Sequence, residues 1–435
     1  MPQASISESL LDICARPVSG AVRARAALHL LDWAGCAIAG RLEPVGRAAA
    51  SEAGCDPLAL AGTGSAAAAL ALGGLGSLLE MDDVHKAALL HPGPVVAAVV
   101  AALPGADPLG ALVRGYEAMI RLGAAVGPGH YARFHNTSTC GGIGAAVAAA
   151  DLMGLAPEQA VWAVGHAMSM AGGVWQCRNE PVETKHLHVA EAARRGVQAA
   201  RYAAQGLAGP RFVLEGPQGF LAAMAPGADP AAVIAPAEGW KIAGVSFKPW
   251  PACRHTHPAI DAALALRERL GGVSPVSVEV ASFADALVFC DRAEPRSAPE
   301  ARFSLQHAVA VALTEGPPPV QSFAPEALGR FAALRGRISV RRDEALTAAY
   351  PARFGATLRA LMPDGRTETV AISDAWGDPE RPMDADALRA KFDRLAAGAG
   401  MAADKSRAIA EAIGALPRTG DAAAVHAALR NAASR

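Results

Sequence analysis

Lys248-Pro249-Trp250-Pro251-Ala252-Cys253-Arg254-His255-Thr256-His257-Pro258 marks the place where the pattern of the chain changes. Upstream, from Ser5 to about Gly227, Ala/Leu/Val-rich segments such as Ala21–Gly40, Asp107–Val126, Gly144–Met153 and Val189–Gln205 follow a helical pattern between Gly- and Pro-containing turns. Ala and Gly at this density let helix axes approach closely, which suits a buried multi-helix bundle. An α-solenoid would need a repeat of roughly 30–45 residues, and none is visible.

Downstream, a helix is expected at Pro258–Leu270. Short β-like runs follow at Val276–Phe283, Gly336–Arg341, Thr357–Met362 and Thr367–Ile372, the last two joined as a hairpin at Asp364-Gly365. Helical pattern returns at Ala298–Leu313 and again from Asp384 through Arg430. The expected fold is mainly α with an α+β second domain: a large all-helical domain over 1–247, a smaller α+β domain over 248–382, and C-terminal helices over 383–435 that return to the first.

With 435 residues, 52% of them hydrophobic and 19% charged, the chain can bury a large core and exceeds one ordinary domain. Forty Lys and Arg stand against 41 Asp and Glu, a balance that gives no reason to expect nucleic acid and favours a small-molecule or protein partner. The seven cysteines are scattered, odd in number and without a CxxC pair, as expected of a reducing cytoplasm. The opening MPQASISESLLDICARP has no basic leader, so no signal peptide is expected. The most apolar stretches, Ala66–Leu79 and Pro94–Leu103, fall short of the ~20 residues of a bilayer span, so no membrane partner is expected either.

Four segments place cationic or imidazole side chains just ahead of, or inside, the first turn of an expected helix. They are His91-Pro92-Gly93-Pro94, His135 through Thr139, Lys185-His186-Leu187-His188, and Lys248 through His257. A cation at a helix start opposes the helix dipole by roughly 0.3–1 kcal/mol, so stability alone does not recommend it. Free N–H groups reinforced by Lys, Arg or His make instead a seat for a carboxylate. Each segment taken singly is also explained by a solvated, capping or core-packed residue; the combination carries the argument.

Other chemistries fit less well. Glu80 through His85 with His91 offers carboxylates and imidazoles, but at no metal-site spacing, and HExxH is absent, so neither metal nor organic cofactor is expected. There is no GxSxG nucleophile elbow, and Gly141-Gly142-Ile143-Gly144 matches neither a Walker A loop nor GxGxxG.

Through most of its length the sequence resembles the MmgE/PrpD family, which includes 2-methylcitrate dehydratases, cis-aconitate decarboxylases and iminodisuccinate epimerases. The resemblance runs through Leu31–Ala37, Met81-Asp82-Asp83 with His91-Pro92, Gly115-Tyr116-Glu117, Gly129-His130-Tyr131, Phe134-His135 and Thr137–Gly144. It continues through Lys185–His188, Ala190–Gly196, Leu214-Glu215-Gly216, Gly219-Phe220, Lys248–His257, Ile260-Asp261-Ala262 and Ala301–Ser304. It implies a large helical domain with a smaller α+β lid domain, in a homodimer. It also implies an active site lined by His91, His135, Lys185 and Lys248, with an acidic residue near Glu80 and the side chain of residue 84 in the same wall. Three positions depart from the decarboxylase branch: Cys253 stands for a histidine, His307 for a substrate-contacting tyrosine, and Val84 for a threonine.

The expected function is acid–base catalysis beside a carboxylate of a small di- or tricarboxylate. His135 and His91 are the proton-moving pair, and Lys185 and Lys248 hold charge. The candidate substrate-binding set is Glu80, Asp82, Tyr131, Thr137, His188, Cys253, Arg254, His255, His257 and His307. Water elimination leads because one acid/base pair suffices for it; epimerisation follows, then decarboxylation. A carboxylate-binding helical scaffold without turnover is the non-enzymatic alternative. Closure of the second domain is expected to complete the pocket.

Overall fold

The computed structural model describes residues 4–433 except 181 and 237. The chain divides into two compact units: one built from the residues through Leu78, Asp82–Val245 and Asp384 onward, the other from Leu79–Met81 and Ser246–Met383. The architecture is mainly α, with a small mixed sheet in the second unit.

In the first unit the sequence-expected helices form at Gly20–Gly40, Pro108–Ala125, Gly141–Leu152 and Thr184–Ala204. Gly93–Ala102 and Gly141–Leu152 have little amphipathic contrast because nearly every side chain in them is small and buried, as central helices of a bundle require. Close approach is enforced at Gly196, where a Cβ would lie 2.2 Å from that of Ala145. The C-terminal segment is tied in by Lys391, whose Nζ lies 2.6 Å from Asp32 Oδ1, both side chains being buried. Removing one partner of such a pair costs about 3–5 kcal/mol. The helical pattern from Asp384 resolves into three helices, Ala385–Gly398, Ala403–Thr419 and Ala423–Ala433. Gly400 and Gly420, at φ +70° and +66°, stand in the two turns, a conformation that costs glycine little.

The second unit holds a four-stranded sheet: β1 (Ser277–Ser282), β2 (Ile338–Arg342), β3 (Ala356–Leu361) and β4 (Thr367–Ile372), in the order β2-β1-β3-β4. β1 pairs parallel to β2 and antiparallel to β3; β3 and β4 form the hairpin, with Gly365 at φ +84° in its turn. Helix His257–Leu270 packs against β3 and β4. The single helix expected at Ala298–Leu313 is instead two, Ala298–Arg302 and Leu305–Glu315. Ser304 breaks it by capping the second helix, accepting the His307 N–H at 3.0 Å. Among the described residues no helix is long and apolar enough to cross a membrane.

Candidate active site

In the first unit three of the four catalytic candidates sit at helix starts. His91 lies just ahead of helix Gly93–Ala102, His135 is the N-cap of the short helix Asn136–Thr139, and Lys185 is in the first turn of helix Thr184–Ala204. The His91 and His135 segments are stitched together: the His91 N–H donates to Thr137 Oγ1 at 3.1 Å, and Asn136 Nδ2 donates to the Ala88 carbonyl at 3.0 Å. Thr137, expected to touch substrate, is fully buried and serves as this brace.

His135 is held from a second direction by the segment Gly172–Trp175. The His135 N–H donates to the Gly173 carbonyl at 2.9 Å and the Trp175 N–H to the Arg133 carbonyl at 2.8 Å. The Trp175 ring thereby lies flat on the imidazole, centroids 4.4 Å apart at 4°. Only glycine fits at 173, whose φ is +128° and whose Cβ would come 2.5 Å from that of Ser138. Ser138 Oγ donates to the Gly172 carbonyl at 2.7 Å, and buried Arg195 donates to the Ser138 carbonyl at 2.7 Å. Trp175, Ser138 and Arg195 were not among the sequence candidates. The Gly172-Gly173 pair two residues ahead of Trp175 is the one local signal that marks the segment.

His135 is 2% exposed, and its Nδ1 is sealed from solvent with no hydrogen-bond partner among the described residues. Burial pushes its pKa well below the usual histidine value, and the positive charge of Lys185, then the neighbouring His188, His91 and His186, push the same way. The ring is neutral near pH 7. The His188 ring lies 5.6 Å from that of His135, and its Nδ1 is likewise buried without a partner. Burial and then Arg195 lower the His188 pKa as well. Tyr131, half-buried, leans against Trp175 at 6.2 Å. His91 has its Nδ1 3.0 Å from the Asp82 carboxylate and 2.9 Å from the Asp83 carbonyl. Asp83 is committed elsewhere: its carboxylate accepts from His29 Nδ1 at 2.6 Å, Tyr116 Oη at 2.7 Å and the Gly93 N–H at 2.7 Å. Among the described residues no group of three or more His, Cys, Asp or Glu side chains is placed to hold a metal ion.

In the second unit Lys248 is fully buried, its Nζ 3.6 Å from Glu80 Oε2. Glu80 occupies left-handed backbone at φ +55°, strain that a non-glycine residue accepts only where the surroundings impose it. Arg254 spends its charge in an ion pair with Asp378. Cys253 Sγ lies 3.2 Å from His255 Nδ1, and the His255 ring stacks on Phe289 at 5.0 Å. His257 is buried, its Nε2 donating to the Ala252 carbonyl at 3.0 Å. His307 is turned wholly inward: Nε2 donates to the Ser322 carbonyl at 2.9 Å, Nδ1 meets Arg335 Nη1 at 3.4 Å, and Phe323 and Phe331 present edges to the ring.

Against known proteins, the MmgE/PrpD N-terminal domain profile matches residues 4–232 and the C-terminal domain profile residues 250–415. The chain is 28% identical to cis-aconitate decarboxylase of Mus musculus over 344 residues, spanning 72% of this chain and 68% of that protein. It is 28% identical to the Homo sapiens protein of that name over 343 residues, spanning 72% and 69%. An alkylcitrate dehydratase from a fungal species is 26% identical over 261 residues, spanning 56% and 52%.

Proposed function

The chain belongs to the MmgE/PrpD family, and from that premise we propose that it is a hydro-lyase that removes a proton beside a carboxylate of a small di- or tricarboxylate and expels the hydroxyl as water. The family supplies the coarser statement, a dehydratase- or decarboxylase-like enzyme. The observation that carries the finer one is His135: a neutral imidazole, buried flat on Trp175 beside Lys185, with a sealed nitrogen that nothing in its own unit satisfies.

A buried nitrogen without a partner costs about 1–3 kcal/mol, a cost that core packing alone does not repay and that substrate chemistry does. His135 and His91 form the proton-moving pair. Lys185 and Lys248 stabilise the negative charge that develops at the carbon and on the carboxylates. Arg254, already neutralised by Asp378, drops out of the carboxylate seat. Decarboxylation is the second reading, favoured by the names of the mammalian relatives. It is opposed by His307, which by the family resemblance replaces a substrate-contacting tyrosine of that branch and here has both ring nitrogens engaged in the core.

The test is proton NMR of the enzyme with citrate-like, 2-alkylcitrate-like and aconitate-like acids. New olefinic protons at constant carbon count, or their loss by hydration, support the hydro-lyase. Release of carbon dioxide with no hydration or dehydration overturns it in favour of the decarboxylase.

A further inference from the structure

Asp82 was expected to contact substrate; its geometry points to a different task. We propose that Asp82 is a positioning residue that, together with the Asp83 carbonyl, holds the Nδ1–H of His91 and so leaves Nε2 as the nitrogen that accepts the proton. The inference rests on the acid–base reading above and deepens it by naming the nitrogen through which His91 takes part.

The argument starts from the two contacts at Nδ1, the Asp82 carboxylate at 3.0 Å and the Asp83 carbonyl at 2.9 Å. The Asp83 carbonyl has no proton to give and can only accept, and a carboxylate oxygen on the same nitrogen accepts alongside it. Nδ1 must therefore carry the hydrogen, and in the neutral ring the lone pair is left on Nε2. A carboxylate at Nδ1 also stabilises the positive ring that forms once Nε2 has taken a proton, without itself being protonated, as in the orienting acid of a catalytic triad.

The surroundings keep this arrangement from slipping. The Asp82 side chain is 5% exposed, so little water competes for its oxygens, whereas His91 retains 16%. The segment that carries both residues is pinned by Asp83, whose side chain closes on His29, Tyr116 and the Gly93 N–H. The His91 backbone is fixed in turn by Thr137. The two adjacent aspartates thus divide the work: the Asp83 side chain shapes the loop, and the Asp82 side chain orients the imidazole at its end. Direct substrate contact through a buried carboxylate would instead set negative charge against a polycarboxylate.

Nitrogen-15 NMR of histidine-labelled full-length enzyme, with His91 assigned by loss of its signal in His91→Gln, reads the tautomer without any substrate. The resting enzyme should show His91 in the Nδ1–H form; a predominant Nε2–H form overturns the proposal whatever the reaction proves to be. In Asp82→Asn the Nε2–H fraction should rise and kcat should fall on the order of 10²-fold, with KM moved by less than about threefold. Asp82→Glu, which restores a carboxylate, should recover part of kcat. A raised KM at intact kcat in Asp82→Asn would make Asp82 a substrate ligand after all. Should Asp82→Asn fail to fold, the wild-type tautomer and the kcat of Asp82→Glu decide the matter. Loss of the hydro-lyase assignment alone would leave the tautomer result standing.

Discussion

The histidines around residue 135 and those around residue 307 are both buried, yet the fold treats them in opposite ways. His307 is finished as a core residue: one nitrogen donates to a carbonyl, the other meets a guanidinium, and two phenylalanine edges close the ring in. His130, close to His135 in sequence, is finished too, bonded through Nδ1 to the Met224 carbonyl at 2.9 Å and through Nε2 to Thr139 Oγ1 at 2.8 Å. His135 has equal burial and a stacked aromatic, but its Nδ1 is left without a partner. Burial is therefore common to these rings, and what differs is whether both nitrogens find a partner.

The sharpest way to break this distinction is to remove both kinds of ring. His135→Ala should lower kcat by about 10²–10⁴-fold, the usual loss for a general acid–base group, while substrate affinity changes little. His307→Gln should leave kcat within about twofold and lower stability by roughly 1–2 kcal/mol, read from chemical denaturation. Equal kinetic losses in the two variants would erase the contrast.

Next in size are the cations. Lys185→Ala and Lys248→Ala should each raise KM, by about 10- to 100-fold if a charge-assisted hydrogen bond worth roughly 1.5–3 kcal/mol is lost, with a smaller fall in kcat. An unchanged KM in both would place the carboxylate seat elsewhere. The Lys248 variant also leaves Glu80 without the charge 3.6 Å from it, so thermal unfolding should be followed beside the kinetics.

Acidification sharpens the comparison from another side. Burial lowers the His307 pKa to about 4, from an ordinary value near 6.5. Above 6.5 the ring is neutral in both folded and unfolded chain. As pH falls from 6.5 toward 4 only the unfolded chain takes up the proton, so stability is lost on acidification, by up to about 3 kcal/mol for this residue. His29 and His85, lowered to about 4 mainly by burial, act in the same direction. Denaturation midpoints between pH 7 and 4.5 should fall less in His307→Gln than in wild type, and an identical fall would contradict the assignment. The smallest expected effect is that of a chelator. With Asp83 committed to His29, Tyr116 and Gly93, exhaustive EDTA treatment should leave turnover unchanged, and its loss with recovery on adding a metal would reopen a ligand role for Asp82, His85 and His91.

Much of the fold was legible from periodicity: the long Ala-rich helices, and a hairpin whose Asp364-Gly365 turn announces itself through the positive φ that glycine permits. The break at Phe303-Ser304 was not, because the apolar spacing runs on across it and only the serine cap stops the helix. The placement of the candidate residues His91, His135 and Lys185 at helix starts was legible. The partnerships around them were not, since Trp175 meets His135, and Arg195 meets Ser138, across long stretches of sequence that no local pattern spans. Nor were the protein partners of Thr137, Arg254 and His307 legible: each is engaged within the fold, Thr137 with His91, Arg254 with Asp378 and His307 with Ser322.

The central claim is that His135 belongs to the machinery that moves a proton beside a carboxylate. Deuterium exchange measures it directly: the enzyme is incubated in D₂O with the acid it turns over, and label at the carbon next to the carboxyl is followed by mass spectrometry. Wild type should incorporate deuterium at that carbon at a saturable rate. His135→Ala should bind the same acid with little change in affinity yet exchange about 10²–10⁴-fold more slowly. Exchange at the wild-type rate in His135→Ala, with binding intact, would contradict the account.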